Sequence, residues 1–311
     1  VAANTGTLTG SDVVRKAIQG KRFDLKEVAF QALLLIGMLA SLLVLFVLIG
    51  DILNKGLSVI SERGMDFVTA PFSIFTPATA GVWQGVVGSL VTLAFVVVIA
   101  VPLGIAAAVY LEEYATDTRF NRVINVNIRN LAGVPSIVYG LLGLAIFVEL
   151  LGGFTGGKTM IAAGLTLAVL VLPIVIITSA EALRAVPDSI REGGYGVGAT
   201  RWEVIRYHVL PSAAPGILTG TVLSLARALG ETAPVLLVGA LTGFLATGGA
   251  SITEQLRDPF TTLPTIIYTY AGQPSSAYRS LTAAAIIVLL LVILTANAAA
   301  IILRNRYERK W

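Results

Sequence analysis

The sequence predicts an all-α, polytopic membrane protein of about six transmembrane helices. Composition is the first reason: 56% of the 311 residues are hydrophobic and 13% are charged, against roughly 25% charged in soluble domains. Distribution is the second. The charges fall in short clusters, separated by stretches long enough to cross a hydrocarbon core of about 30 Å. The third is the one-sided placement of Lys and Arg along the chain, taken up below.

In chain order, residues 1–27 read as a polar cytoplasmic lead-in, with a short amphipathic helix around Val13, Val14, Ala17 and Ile18. The first span covers 28–52, and its run from Val28 to Gly50 carries no charge. A loop at about 51–84, rich in Pro, Thr and Ser, leads to a core at 85–304. Its expected spans lie at about 86–110, 130–149, 159–181, 213–240 and 280–303, and 305–311 form a short tail. As helices rising 1.5 Å per residue, the six apolar stretches, the fifth of which carries Arg227 and Glu231, reach about 28 to 42 Å. The run Leu263-Pro264-Thr265-Ile266-Ile267-Tyr268-Thr269-Tyr270 is too short to span and reads as an interfacial or re-entrant helix.

With both termini placed in the cytoplasm, sixteen of the 22 Lys and Arg fall inside, among them Arg15, Lys16, Arg119, Arg184, Arg201 and Arg304. Five fall outside: Lys55, Arg63, Lys158, Arg257 and Arg279. Arg227 lies within the fifth span. Cytoplasmic loops carry the excess of Lys and Arg, so this bias sets the orientation. The pI near 9.4 reports topology, and the positive charges never gather on one folded domain as a nucleic-acid partner would require. There is no cysteine, which excludes disulfides and thiolate metal sites.

Four features bear on function. Gly152 to Thr159 matches the phosphate-loop pattern GxxxxGK[ST], but that pattern works only between a buried strand and a helix of a soluble nucleotide domain. Here it joins two apolar spans, and a Gly-rich turn accounts for it. The second feature is the segment from Val186 to Pro211. Pro187 suits a first helical turn, Ser189 and Glu192 offer a capping box, and Gly198 is a helix stop. Thr200 and Glu203 offer a second box, and Pro211 closes the segment. Two small helices with an angular break would form a knuckle projecting from the membrane; a plain amphipathic loop on the lipid is the alternative.

The third feature is an ionic pair inside a span. Gly220, Ser224, Arg227 and Glu231 recur at intervals of four, three and four and so share one helical face. Each charge costs about 2.5–3.5 kcal/mol in mid-bilayer, so both should face the bundle interior or water. A guanidinium suits a phosphate-like oxyanion because its planar fork donates two parallel bonds. A salt bridge locking one helix to another is the alternative. The fourth feature is Pro135 and Ser136 at the start of the third span, which reads as a bend without a ligand role.

Two of these features carry a resemblance. Glu192, Gly193, Gly194, Gly198, Leu210 and Pro211 stand at the spacing of the cytoplasmic Glu-Ala-Ala pattern of ABC importer permeases, with glycine for both alanines and His208 at the usual Ile. His208 is expected to pack there rather than to act as ligand or base. Ala226-Arg227-Ala228-Leu229-Gly230-Glu231-Thr232-Ala233-Pro234 resembles the signature of the phosphate ABC transporter permeases, specifically the PstA-type subunit. Ala132 to Gly140 and the Leu263-Pro264 segment are similar to the same family, from about Val86 to the C-terminus.

The resemblance implies a type I ABC importer permease fold in a bacterial inner membrane, with 186–211 seating in an ATPase. It implies a PstC-type second permease, a PstB-type ATPase dimer and a PstS-type phosphate-binding protein as partners, with membrane lipid around the bundle. ATP and Mg would be bound by the ATPase, leaving this chain without cofactor, metal or catalytic residue. It implicates Arg227 and Glu231 in the phosphate pathway, and Ser224 shares their helical face. An importer of phosphonate, sulfate or molybdate, and an ion-coupled carrier or channel, are the competing readings.

Overall fold

The computed structural model describes residues 25–240, 256 and 258–307. The expected amphipathic turn around Val13, most of the loop at 241–257 and the last residues of the tail lie outside them. Among the described residues all regular structure is helical.

Helix α1 (Leu25–Arg63) is a 39-residue rod, and from Lys26 to Gly50 none of its side chains is buried by the chain itself. A helix apolar all round is stable in lipid and not in water. Past Ile52 it joins the core, where a Cβ at Gly56 would lie 2.8 Å from the Ala283 backbone carbon. Helix α2 (Trp83–Tyr114) is continuous through Pro102 because the turn just before it, Val96–Ala100, widens to π-helical pitch. A proline ring clashes with the carbonyl four residues back, and one wide turn makes room for it.

The third span is not one rod. Helices α3 (Arg119–Ala132) and α4 (Ser136–Leu150) meet at 100° across Gly133, Val134 and Pro135. Helix α3 is strongly amphipathic with no buried residue, and the 15 residues of α4 rise only about 22 Å. The expected span at 130–149, read with a bend at Pro135, is thereby corrected to a helix that starts at Ser136. Pro135 drives its predecessor out of helical geometry, so what sequence suggested as a bend is a full break.

Gly152–Thr155 form a single turn, and Gly156 and Gly157 both sit at φ +87°. The phosphate-loop look-alike is thus a left-handed corner between α4 and helix α5 (Met160–Arg184), with a helix where that motif needs a strand. Helix α5 is the hub, buried along most of its length. Small residues let its neighbours approach: a Cβ at Gly104 of α2 would lie 2.6 Å from Val175 Cγ1.

Helix α6 (Asp188–Gly196) is followed by helix α7 (Arg201–Gly230). Pro211 does not close the knuckle as expected. The chain runs helically through it after another π-helical turn, Ile205–Val209, the same device that carries α2 past Pro102. Nor does the expected fifth span at 213–240 continue to its end. Helix α7 stops at Gly230, Glu231 is extended (φ −75°, ψ 118°), and one turn follows at Ala233–Leu237. Helices α8 (Leu263–Ala271) and α9 (Ser276–Tyr307) complete the chain. Among the described residues, five helices, or six with the bent α3–α4 pair, are long and apolar enough to cross a membrane.

Among the described residues the apolar core forms three clusters. One joins α8 to α9 and the end of α1 around Phe67, Ile266 and Tyr270. A central one surrounds α5 at Leu167 and Val171. The third, around Leu183, Val204 and Ile205, ties the ends of α2 and α5 to the start of α7. Helix α8 is buried in the bundle on its inner face, with Leu263, Ile266 and Tyr270 fully covered.

Candidate functional site

Two regions contain the residues singled out from sequence. The first is the end of α7. Arg227 Nε donates to Glu231 Oε1 at 3.2 Å, and among the described residues its two terminal Nη atoms have no partner. The Arg227 side chain is 52% exposed on this chain while that of Glu231 is 17% exposed. Depth follows from α9: Arg304, the first charge past the sixth span, donates to Thr219 Oγ1 at 3.1 Å. Arg227 lies eight residues further along α7, a rise of about 12 Å. Arg227 therefore lies within the apolar length of the bundle, three residues before α7 ends at Gly230.

The expected shared face does not hold throughout. Gly220 packs directly against Thr178, whose side chain leaves no room for a Cβ there. Ser224 is fully buried, and its hydroxyl donates to Gly220 O at 2.8 Å. Ser224 is therefore covered within this chain, and its hydroxyl satisfies itself on its own i−4 carbonyl. Because α7 ends at Gly230, Glu231 reaches back to Arg227 from an extended residue rather than from the next helical turn.

Glu231 closes a small polar cleft, with room for about one water, whose other polar walls are Ser89 and Thr92 of α2 and Thr262 at the start of α8. Sequence reasoning missed these three. Their signal was present in the apolar α2: Gln84, Gly85, Gly88, Ser89 and Thr92 fall on one buried face, an i, i+4 stripe of small and polar residues that lipid would not select. Ser89 Oγ accepts from Leu263 N at 2.9 Å, and Thr265 Oγ1 accepts from Thr262 N at 2.8 Å. The first turn of α8 is thus held against the start of α2.

The second region is α6 and the start of α7. Helix α6 begins at Asp188 after Pro187, so the Ser189–Glu192 box does not form. Gly198 is the stop, at φ +84°, where a residue without Cβ is unstrained. The Thr200–Glu203 box is complete, with Thr200 N donating to Glu203 Oε2 at 2.8 Å and Glu203 N to Thr200 Oγ1 at 3.4 Å. Removing the cap with Thr200→Ala is expected to cost about 1 kcal/mol locally. Hydrogen exchange of the 201–204 amides should then speed up about fivefold; an unchanged rate would mean the cap contributes nothing.

Within α6, Gly194 is buried because a Cβ there would lie 2.8 Å from Val204 Cγ2, so this glycine folds α6 onto α7. Glu192, Gly193 and Val197 face outward, and a Cβ at Gly193 would meet nothing within 4 Å. Leu210 is half-buried and Pro211 exposed. His208, expected to pack, is exposed instead.

The inner side of the same region carries ion pairs that sequence reasoning did not anticipate. Arg184 Nε donates to Glu112 Oε2 at 2.7 Å. Arg191 Nη2 donates to Glu113 Oε1 at 2.8 Å and to Leu183 O at 2.9 Å, and Nη1 to Val186 O at 2.8 Å. Hydrogen bonding by Glu113 holds the Arg191 guanidinium even more firmly charged than usual. The Arg201 guanidinium lies 4.9 Å from the Tyr114 ring centre. Among the described residues no group of three or more His, Cys, Asp or Glu is placed to hold a metal.

Residues 100–309 match the family described as the binding-protein-dependent transport system inner membrane component. The chain belongs to that family. Family membership and the apolar helices make it a multi-pass protein of the bacterial inner membrane. Among relatives, the phosphate transport system permease protein PstA of Yersinia pestis is 32% identical over 90% of this chain and 89% of its own. PstA 1 of Mycobacterium tuberculosis is 40% identical over 63% of this chain, and the match spans 62% of that relative's length. Among solved structures, a chain of a bacterial alginate ABC transporter complex superposes with TM-score 0.60 at 16% identity, covering 90% of this chain and 96% of that one. A chain of the inward-facing MetNI methionine ABC transporter gives 0.55 at 20% identity, covering 74% and 95%. At such identities the likeness concerns the fold, which is that of type I ABC importer permeases.

Proposed function

We propose that this chain is the membrane-spanning permease subunit of an ATP-driven phosphate importer. The observation that carries the reading is Arg227, a guanidinium within the apolar length of the bundle, held by Glu231 through Nε alone and left with its Nη fork open. Its relatives include permeases named for phosphate transport. A charge at that depth is costly and is kept where it meets a partner or a passing ion. A planar fork matches a tetrahedral oxyanion with two parallel charge-assisted bonds.

The assembly pairs this chain with a homologous PstC-type permease, a PstB-type ATPase dimer at α6 and a PstS-type phosphate-binding protein on the opposite face. Both termini and α6 lie in the cytoplasm. ATP and Mg belong to the ATPase, and no catalytic step is assigned to this chain. Closure of the ATPases on ATP pulls the two knuckles together, and the pathway turns from inward- to outward-facing. Phosphate released by the binding protein then passes Arg227. Glu231 fixes the guanidinium in place and offsets its charge, so that the anion is bound weakly enough to leave.

The chain, purified in mild detergent, should bring down an ATPase and a second permease. The assembly in proteoliposomes should take up phosphate only with ATP and binding protein, and excess sulfate or molybdate should leave that uptake unchanged. Phosphate transport without an ATPase would replace the reading with a carrier. Equal competition by sulfate would replace the substrate.

A further inference from the structure

We propose that Arg191 and Glu113 are the positioning pair through which movement of α6 is transmitted to α2, and so to the polar cleft beside Glu231. The inference rests on the importer reading above and deepens it, because it names the joint by which the ATPase-facing helix works the membrane part.

Glu113 sits at the end of α2, and its side chain is only 6% exposed. Arg191, on the inner side of α6, is 18% exposed. Its guanidinium reaches three pieces of chain at once. Nη2 and Nε donate to the Glu113 carboxylate at 2.8 and 3.3 Å. Nη2 also donates to Leu183 O in the last turn of α5, and Nη1 to Val186 O in the connection to α6. Carbonyls at a helix C-terminus lack intrahelical donors and carry partial negative charge, so a cation seated on them is favoured. Asp188, one turn back on α6, contributes a further contact at 3.3 Å. The carboxylates of Glu113 and Asp188 and the two carbonyls thus supply the negative partners that a largely covered guanidinium requires.

What distinguishes this pair from an ordinary surface bridge is where its other end leads. Helix α2 is continuous from Trp83 to Tyr114. Twenty-one residues above Glu113, about 32 Å along one rod, it presents Thr92 to the cleft that Glu231 closes. Ser89, beside it, holds the first turn of α8 through Leu263 N. A push or pull on α6 through Arg191 therefore shifts one wall of the cleft and α8 together. The neighbouring Glu112–Arg184 contact joins α2 to α5 without involving α6. It supplies an internal control: the same chemistry one residue away, off the proposed route.

The test uses the complete transporter in proteoliposomes, reading phosphate uptake and ATP hydrolysis in the same preparation. Arg191→Gln and Glu113→Gln should each lower phosphate moved per ATP about tenfold or more while ATPase copurification and hydrolysis persist. The double variant should be no worse than the worse single. Glu112→Gln should leave the ratio within about twofold. If the Gln variants fail to accumulate, Arg191→Lys and Glu113→Asp keep the charges and shift the geometry, and a fall in the ratio of at least threefold is expected. An unchanged ratio in the variants that accumulate, or fully additive losses in the double variant, overturns the proposal. A wild-type chain that copurifies with no ATPase defeats the importer reading instead, so the two failures are distinct.

Discussion

Arg227→Gln is expected to reduce phosphate uptake by about 100-fold or more at equal membrane abundance. A hydrogen bond to a charged group contributes about 1.5–3 kcal/mol, and the open fork of Arg227 offers two of them. Losing most of that contribution where phosphate passes corresponds to roughly two decades in rate at about 1.36 kcal/mol each. Because Arg227→Gln leaves the largely covered Glu231 carboxylate without its partner, which is destabilising, uptake is read per unit of membrane-inserted protein. Arg227→Lys keeps the charge and loses the planar fork, and should fall between the two, about tenfold down. Glu231→Gln is expected to behave differently. The guanidinium then keeps its full charge toward the anion, so apparent affinity for phosphate should tighten while the turnover rate falls, as binding without passage predicts. Initial-rate uptake against phosphate concentration separates these outcomes. Wild-type kinetics in both Arg227→Gln and Glu231→Gln would remove Arg227 from the pathway.

The membrane class is legible in the sequence because crossing lipid demands length without charge, and runs such as Val86–Tyr110 and Ser280–Leu303 meet that demand visibly. Direction is not legible. The apolar run at 130–149 passes through Pro135 without a change of hydropathy, yet the chain turns there by 100°. Hydrophobicity likewise continues from Ala213 to Ala240, while α7 stops at Gly230. Gly230 and Pro234 are a readable stop signal, hidden by the continuous apolar composition around them. Pro211 errs the other way: by rule it ends a helix, but a π-helical turn carries the chain past it.

At the site, Arg227 and Glu231 can be paired from sequence because they stand four apart on the chain. Arg191 and Glu113 are separated by 78 positions, and no local period reveals such a contact. Glu112 and Glu113 show in the sequence only as the charges that end a span. Ser224 groups with Arg227 by spacing alone, which says where a residue points on an ideal helix and not whether its hydroxyl is already satisfied.

Gly88→Ala is expected to be the most damaging single-methyl change in the transmembrane bundle. In an exposed helix, alanine for glycine is favourable by about 1 kcal/mol, and at Gly37, where a Cβ meets nothing within 4 Å, that sign should hold. At Gly88 the same methyl would collide with the Thr261 carbonyl oxygen. The obstacle is backbone, so no rotamer change relieves it: α2 must move away from the segment that leads into α8. That movement would stretch the Ser89–Leu263 hydrogen bond and open the polar cleft beside Glu231, adding unsatisfied polar groups to the steric cost. Overpacking of this kind costs about 1–3 kcal/mol or more, enough to outweigh the gain in helix propensity. Thermal unfolding in detergent should therefore show Gly88→Ala lowered by about 4–8 °C, at roughly 2–4 °C per kcal/mol for a net cost of about 2 kcal/mol, with Gly37→Ala unchanged or slightly raised. Uptake by the surviving Gly88→Ala protein should fall as well, since the displaced wall is the one that faces Glu231. Equal melting of the two variants would mean that α2 and the approach to α8 are not in the close contact on which the cleft depends.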